Sequence, residues 1–583
     1  MLHTLTRSLR ENKGPALVTV LLSALEVVFE IVIPLFMSNL IDFGIEGGSM
    51  AAVWKFGAFL LLLAAFQLAT GVLAARIAAR ASVGFAANLR EDMYNNVQTF
   101  AFSNIDKFST ASIVTRLTTD TTNVQNAFQM LMRMAIRAPV MLVFSMVVSF
   151  RISRDISMTF LIILPILALA LFFIIRSVFP VFTRVFRTYD ELNNVVQENV
   201  RGIRVVKSFN QERHEIGKFG AISERIYKDF SKGERLITLN APLMQFCIYT
   251  CMIVISWLGA KAIIASGNDP ALGLTTGNLT ALITYTMQIL SSLMMLSMVF
   301  AMLTISLSSA RRIAEVLEER SDIPQPEQPV MTVRDGAVDF DHVSFVYASK
   351  ADKKVLDDID LHIRSGETIG IIGGTGASKS SLVQLIPRLY DVTGGKLTLG
   401  GVDVRDYDLD TLRGAVAMVL QKNELFSGTI AENLRWGNEN ATDEQLRHAC
   451  KLACADGFIS AMPDGYDTHV EQGGTNVSGG QKQRLCIARA LLKKPKVLIL
   501  DDSTSAVDTR TDAQIQQALS TYIPDTTKII IAQRISSVQN ADRIVVIDDG
   551  RINAVGSHDE LLRSCEIYRE VYESQQKGGE DDA

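Results

Sequence analysis

Long apolar stretches alternate with long polar ones over the first half of the chain. A helix needs about 20 mostly apolar residues to cross a bilayer. Six stretches approach that length, at 15–40, 56–75, 134–150, 156–175, 239–260 and 279–303. The third is the weakest because Arg133 and Arg137 lie at one of its ends, whereas the second, fourth, fifth and sixth carry no charged residue. The pattern predicts six membrane-spanning helices.

Two polar stretches of some 60 residues, 76–133 and 176–235, separate these spans and are rich in Lys and Arg. The positive-inside rule places them in the cytoplasm together with the amino terminus, although Arg151 and Arg154, in a loop predicted to lie outside, go against it. If each stretch is a helical hairpin, arms of about 25 residues extend ~35–40 Å below the membrane. Arms of that length can reach a soluble domain.

The pattern changes in the second half of the chain. Residues 321–329 hold three prolines, which cannot continue a helix. From about 335 the apolar runs become short and β-rich and alternate with helical segments, which predicts an α/β domain with a partly parallel sheet. We therefore expect an all-α, six-helix transmembrane domain over 1–320, a linker at 321–334, an α/β domain over 335–575 and a disordered tail at 576–583.

Composition agrees with a membrane part joined to a soluble part. Of the 583 residues 48% are hydrophobic, yet 20% are charged. The formal net charge is −5 and no block of Lys and Arg occurs, so nothing points to nucleic acid as a partner. The six cysteines lack accompanying histidines, and we interpret them as reduced thiols without a metal site.

A glycine-rich segment follows a short apolar strand and opens a helix, as a phosphate-binding loop does. Backbone N–H groups there would hold phosphates, Lys379 would reach the β and γ groups, and Ser380 would bind Mg²⁺. Ser378 stands where the strict pattern has glycine. The candidate nucleotide-binding residues are Gly373, Gly374, Thr375, Gly376, Ala377, Ser378, Lys379, Ser380 and Ser381.

A second apolar strand, 498–500, ends in two carboxylates. Asp501 is placed to hold Mg²⁺ through water and Asp502 to orient the attacking water. A buried strand that ends in acids is common, so this motif alone is weak.

The string Val-Ser-Gly-Gly-Gln-Lys-Gln-Arg at 477–484 closely resembles the signature of ABC ATPases. With it, the resemblance to ABC exporters covers essentially the whole chain and implies ATP and Mg²⁺ as cofactors. The resemblance also implies a dimer in which the signature contacts the ATP that a second chain holds. The residues concerned are Ser478, Gly479, Gly480 and Gln481.

The remaining family motifs occur in order. The resemblance implies that Tyr347 stacks on adenine, although a plain core tyrosine is the alternative, and that Gln421 senses Mg²⁺. It implies that 505–508 links the two ATP sites, and that 108–120 and 201–212 belong to intracellular hairpins with short coupling helices near 104–108 and 210–214.

Three positions of one ATP site depart from the family pattern. Asp502 replaces the usual glutamate and is one methylene shorter, Gln533 replaces the usual histidine and carries no charge, and Ser378 replaces glycine. These departures predict a site that hydrolyses ATP poorly, beside a different half-transporter with a competent one. The alternatives are harmless substitutions or a homodimer with slow hydrolysis.

Two features suggest a substrate path. Glu26 and Glu30 lie one turn apart in the first span, where acids are costly and often functional, although pairing with Arg133 or Arg137 would also explain them. The sixth span is rich in methionine, including Met294 and Met298, which suits a promiscuous apolar surface or plain helix packing. Together they favour an exporter of amphipathic drug-like or lipid-like compounds. The alternative is a lipid, peptide or siderophore transporter on the same fold, import included. A soluble ABC ATPase acting on DNA or ribosomes is excluded by the six spans.

Overall fold

The computed structural model describes residues 1–269, 273–347, 354–374, 376–502 and 507–580. The chain divides into two compact units. Met1–Gln98 and Thr110–Glu319 form the helical unit; Thr99–Ser109 and Arg320–Ala583 form the sheet unit. The sheet unit therefore begins one residue before the predicted linker and includes a short piece of the first polar stretch.

The first half of the chain is helical, as the hydropathy pattern predicts. Within the described residues, six helical segments are long and apolar enough to cross a membrane. Helix α3 alone has 49 residues, ~74 Å at 1.5 Å per residue, which far exceeds the ~30 Å hydrocarbon core. The helices are α1 Leu2–Arg7, α2 Lys13–Asn39, α3 Met50–Gln98, α4 Phe102–Lys107, α5 Thr110–Thr115, α6 Thr121–Ile152, α7 Arg154–Arg201, α8 Ile203–Ser208, α9 Glu212–Thr238, α10 Asn240–Ser266 and α11 Thr276–Glu318.

The two polar stretches are helical hairpins, and each contains a short helix. In the first, α4 lies close to the predicted 104–108. In the second, the short helix is α8, and the prediction of 210–214 was wrong. Asn210 has φ 52°, a left-handed conformation that asparagine tolerates, so the chain turns there and α9 begins at Glu212.

A partly buried ion cluster explains three of the charges in the predicted spans. Arg137 of α6 donates from its two terminal nitrogens to Glu26 Oε1 and Glu30 Oε2 of α2, each at 2.7 Å. Gly71 of α3 gives Glu26 its room, because a Cβ there would lie 3.2 Å from Glu26 Oε1. Each carboxylate is therefore paired with the guanidinium rather than buried alone. Helix α6, which contains the weak third span, is one continuous helix.

Polar contacts also hold α11 against its neighbours. Asp42, in the π-helical turn after α2, accepts hydrogen bonds from the backbone N–H of Gly277 at 2.8 Å and the Thr275 hydroxyl at 2.7 Å. At the other end of α11, Arg312 Nε donates to the buried Asp120 at 2.7 Å. The first, third and sixth spans are therefore joined by polar side chains as well as by apolar packing.

The sheet unit contains a six-stranded sheet in the order β12-β11-β3-β10-β9-β6 and a four-stranded antiparallel sheet in the order β2-β1-β4-β5. In the larger sheet all neighbours are parallel except β12 and β11. The strands are β1 Val338–Phe345, β2 Leu356–Ile363, β3 Thr368–Ile372, β4 Gly394–Leu399, β5 Val402–Asp403, β6 Val416–Val419, β7 Gly428–Thr429, β8 His469–Val470, β9 Val497–Asp501, β10 Thr527–Ile531, β11 Arg543–Asp548 and β12 Arg551–Gly556.

The central strands are buried on both faces, so their sequences are continuously apolar rather than alternating. Along β9, Leu498 and Leu500 pack into one core cluster, while Val497 and Ile499 pack into the other. Helices cover both faces: α12 Lys379–Gln384, α13 Leu409–Ala415, α14 Ile430–Arg435, α15 Asp443–Leu452, α16 Asp456–Ser460, α17 Gly479–Leu492, α18 Thr509–Tyr522, α19 His558–Ser564 and α20 Glu566–Glu580.

The last helix, α20, enters the stretch 576–583 for which the sequence predicted disorder. Its first turns are fixed because Tyr568 is fully buried and Val571 packs against the same core. The helix therefore has an apolar anchor that the polar composition of the tail conceals.

Replacing Arg137 should destabilise the helical unit more than replacing any exposed arginine. Arg137→Gln leaves two carboxylates facing each other without a cation, which should cost on the order of 2–3 kcal/mol for this partly buried cluster. Thermal denaturation in detergent measures the effect, with Arg151→Gln, at the exposed end of the same helix, as the control. Equal midpoints for the two variants would contradict the assigned role of the cluster.

Candidate functional site

The parallel register of three strands brings the predicted ATP-site segments together. Ile531 of β10 pairs with Ile371 of β3 on one side and with Asp501 of β9 on the other. The carboxyl ends of these strands therefore lie level, and the residues that follow each strand meet at one edge of the sheet. Ligands bind at this edge in open α/β sheets.

The segment after β3 is a tight loop around the Lys379 side chain. The Lys379 ammonium donates to the carbonyl oxygens of Gly373 and Gly374, both at 2.8 Å. Gly373 permits this path, because a Cβ there would lie 2.1 Å from the carbonyl oxygen of Ile547. Burial lowers the pKa of Lys379, and the nearby Asp502 and Asp501 oppose that effect. A cation held in backbone carbonyls beside a helix start suits phosphate binding.

Ser380 and Asp501 form an oxygen-rich pair next to the loop. The Ser380 hydroxyl donates to Asp501 Oδ1 at 3.0 Å. Burial raises the pKa of Asp501, and the Ser380 hydrogen bond partly offsets the rise. Hydroxyl and carboxylate oxygens are the ligands that Mg²⁺ prefers, so the side chains present fit the cofactor predicted here.

Asp502 is held by two amide side chains. Gln533 Nε2 donates to Asp502 Oδ2 at 2.7 Å, and Gln421 Nε2 lies 3.5 Å from the same oxygen. The three residues predicted to be catalytic, Asp502, Gln533 and Gln421, therefore lie together, and their side chains contact one another. Burial raises the pKa of Asp502, while the hydrogen bonds from Gln421 and Gln533 lower it.

These residues line one cleft of about 800 Å³. Tyr347 lies at its rim, 45% exposed, with its hydroxyl 2.8 Å from Ser381 Oγ. It follows β1, which ends at Phe345. Four of the lining residues were not predicted because they belong to no motif: Lys354, Val355, Ile531 and Asp549. The lining consists of Tyr347, Lys354, Val355, Gly373, Gly376, Ala377, Ser378, Lys379, Ser380, Ser381, Gln421, Asp501, Asp502, Ile531, Gln533 and Asp549.

The signature residues are not part of this cleft, in so far as the structure describes its lining. Ser478 caps α17, accepting from the backbone N–H of Gln481 at 3.3 Å, and Gln481 Oε1 accepts from the N–H of Ser478 at 3.0 Å. Ser478 and Gly479 are exposed, and Gly480 and Gln481 are half-buried. The start of α17 therefore lies open to a ligand or a second chain.

Two predicted elements fall partly outside the described residues. Thr375 of the phosphate loop lies outside them, as do Ser505 and Ala506 of the segment predicted to link two ATP sites. The rest of that segment is described. Val507 is buried, and Asp508 caps α18 by accepting from the N–H of Thr511 at 2.9 Å.

The predicted substrate-path residues are only partly brought together. Glu30 and Arg137 line a cavity of about 180 Å³ in the helical unit, and the methionines beside them are Met287 and Met295 of α11 and Met141 of α6. Met294 and Met298 were predicted to share this path, but they do not line it.

The helical repeat explains this correction. Met294 is turned about 100° from Met295 around the helix axis, whereas Met298 lies on nearly the same side but about 4.5 Å farther along the axis. Both side chains are exposed in the chain, at 46% and 60%.

Ser378→Gly should stabilise the sheet unit. Ser378 has φ 65° and ψ 21°, and its side chain makes no capping hydrogen bond. Serine is therefore held in a strained left-handed backbone conformation with no capping hydrogen bond to offset the strain. Glycine should add about 1 kcal/mol to the free energy of unfolding, measured by thermal or urea denaturation. Ser378→Ala keeps the strain and is the matched control, so equal stability of the two variants would refute the explanation.

Known proteins resemble the chain in both halves. A family model described as the ABC transporter transmembrane region matches residues 16–294, and one described as ABC transporter matches residues 356–505. The chain is 35% identical over 558 residues to the uncharacterized ABC transporter ATP-binding protein YfiB of Bacillus subtilis (strain 168), with 96% of each covered. It is 33% identical over 580 residues to the uncharacterized ABC transporter ATP-binding protein MT1311 of Mycobacterium tuberculosis (strain CDC 1551 / Oshkosh), with 99% of this chain and 98% of the relative covered.

A solved structure of a bacterial Atm1-family ABC exporter with ATP bound has the same fold, with a TM-score of 0.81 at 24% identity over 97% of this chain and 99% of that one. Six apolar helices and this exporter fold make the protein a multi-pass membrane protein. The chain belongs to the ABC transporter family, as a half-transporter that joins one transmembrane region to one ATP-binding domain.

Proposed function

We propose that the chain is the degenerate-site subunit of a heterodimeric ABC exporter, which moves amphipathic drug-like or lipid-like compounds out of the cell by alternating access. The observation that carries the proposal is the 2.7 Å hydrogen bond between Gln533 and Asp502 within the chain's own cleft. It ties the two weakened catalytic positions to each other. Meanwhile the signature at the start of α17 is intact and exposed.

The parts of the site that ATP binding requires are those without a weakening substitution. The loop amides and Lys379 would hold the phosphates, Tyr347 would stack on adenine, and Ser380, Asp501 and Gln421 would hold Mg²⁺, partly through water. Bound Mg²⁺ neutralises phosphate charge. The chain's own residues thus bind and orient the nucleotide.

Hydrolysis at this site should be weak for three physical reasons. The Asp502 carboxylate is short by one methylene, and errors of ~1 Å in position can cost ~100-fold in rate. Gln533 can donate a hydrogen bond but brings no positive charge to the developing transition state. To contact phosphate it must also release Asp502. The site then acts mainly as a holder of ATP.

The exposed signature supports a role in the partner's site. Ser478 and the amides of Gly479 and Gly480 stand at the N-terminus of a 14-residue helix, where the helix dipole favours anions. A partner chain with a glutamate and a histidine at the weakened positions would supply the rest of a competent site. From the positive-inside rule we also infer that the ATP-binding domain lies in the cytoplasm.

The ion cluster of the helical unit supports an amphipathic, cationic substrate. Two carboxylates and one guanidinium leave Glu26, Glu30 and Arg137 with a formal charge of −1. A cation would neutralise that charge, and the flexible side chains of Met287 and Met295 would accommodate an apolar body of variable shape.

In the complex, a change in the signature should cost more than a change at the chain's own carboxylate. Ser478→Arg places bulk and charge against the partner's ATP and should lower hydrolysis by ~100-fold or more. Asp502→Asn should cost only about threefold, because water activation is already weak there. Steady-state ATPase assays of the assembled, ATP-binding complex measure both variants.

Ser557→Arg is the control for the lost helix cap, since Ser557 caps α19 with the same pair of hydrogen bonds. Similar losses in Asp502→Asn and Ser478→Arg would mean two equivalent sites and would refute the degenerate-site assignment.

Neutralising Glu30 should impair transport of cations selectively. In inside-out vesicles containing the complex, Glu30→Gln should slow uptake of a labelled lipophilic phosphonium by about tenfold, or ~1.4 kcal/mol. Uptake of a neutral amphipath should not change. Glu46→Gln, at an exposed glutamate beyond the end of the first span, is the control. An equal effect on both labelled compounds would contradict cation selectivity at this cluster.

A further inference from the structure

Tyr390 lies between the adenine-site tyrosine and the short helix of the first hairpin. Its ring meets that of Tyr347 edge to face, with centroids 5.1 Å apart and planes at 88°. On its other side its hydroxyl donates to Asp106 Oδ2 at 2.8 Å, and its ring lies 6.0 Å from that of Phe102. Asp106 and Phe102 belong to α4. One side chain therefore contacts both the rim of the ATP cleft and this helix.

The segment that carries Tyr390 is firmly held. Arg388 is 2% exposed and forms an ion pair with Asp391, with Nε 2.6 Å from Oδ1. The buried Phe345 packs against Tyr390 at 5.6 Å and against Tyr347 at 4.8 Å. Tyr347 and Tyr390 therefore contact each other and share one buried packing partner.

Helix α4 is tied on another side to the chain that leaves the sixth span. The buried Asn104 side chain donates to the carbonyl oxygen of Arg320 at 3.0 Å and accepts from the backbone N–H of Asp322 at 3.3 Å. These residues directly follow α11, which ends at Glu318. The contacts therefore run from the base-site ring through Tyr390 and α4 to the segment that continues from α11.

We propose that Tyr390 reports the presence of the nucleobase, rather than of the γ-phosphate, to α4. The inference rests on the proposed role of Tyr347 and goes beyond it. A purine stacked on the exposed face of Tyr347 fixes that ring, which fixes Tyr390 and orders α4. Such a signal does not require hydrolysis, so a site that retains its nucleotide can hold α4 in place throughout the partner's turnover.

Hydrogen–deuterium exchange of the full-length protein in lipid nanodiscs tests the proposal. The reporters are the amides of Asn104, Ile105 and Phe108, which donate to the carbonyl oxygens of Ala101 or Asn104. The two probes are Mg-ADP, which has the base without the γ-phosphate, and Mg-tripolyphosphate, which has three phosphates without a base.

Saturating ADP should slow exchange of these amides by about three- to tenfold, the scale of one edge-to-face ring contact. Tripolyphosphate should leave their exchange unchanged. Equal protection by the two probes, or protection by tripolyphosphate alone, would overturn the proposal.

Variants separate the relay from the adenine site. Tyr390→Leu removes the ring and should abolish the ADP effect while ADP affinity stays within about twofold. Phe102→Leu removes the ring contact with Tyr390 from the α4 side, at a position that is 36% exposed, and should also abolish the ADP effect. Tyr522→Leu, at a tyrosine that is 61% exposed, is the control and should keep the full effect.

Two further results would distinguish a failure of the adenine assignment from a failure of the relay. Unchanged ADP affinity in Tyr347→Leu would refute the adenine assignment and, with it, the relay. Weakened affinity in Tyr347→Leu combined with full protection in Tyr390→Leu would refute the relay alone.

Discussion

The level alignment of three parallel strands is the constraint on which the ATP site depends. Because Ile371, Asp501 and Ile531 share one register, the loop after β3, the carboxylates at the end of β9 and the glutamine after β10 converge at one edge. The alignment brings the groups together whatever they are. It is therefore the identity of the side chains at the edge, and not their placement, that decides whether the site holds nucleotide or also cleaves it.

The same alignment explains how a one-methylene change would act in the proposed degenerate site. A glutamate at position 502 would carry its carboxylate one methylene farther from the backbone, whereas the Asp502 carboxylate lies where Gln533 Nε2 donates to it at 2.7 Å. The glutamine amide satisfies the carboxylate and is itself occupied by the contact. Under the proposed function each residue alone would weaken hydrolysis, and in the structure the two side chains are hydrogen-bonded to each other.

Most of the fold was predictable because it depends on local pattern, and the same is true of the phosphate-loop and carboxylate residues that the structure brings into one cleft. Twenty apolar residues, a glycine-rich turn after a strand and continuous apolar strands each have one physical solution. The long-range polar pairs were predictable only in part. The sequence suggested Arg133 or Arg137 as a partner for Glu26 and Glu30, and the structure shows that Arg137 pairs with both acids. The methionine face of α11 was likewise misjudged, since composition does not say which side of a helix lines a cavity.

Nucleotide trapping tests the central claim most directly, which is that this chain's own site binds ATP but rarely cleaves it. The complex would be allowed to turn over labelled ATP, then be photo-crosslinked and separated into its two chains, and the nucleotide on each would be identified. The account predicts mainly ATP on this chain, held through Lys379 and Ser380, and mainly ADP at the partner's site. Mainly ADP on this chain would contradict it.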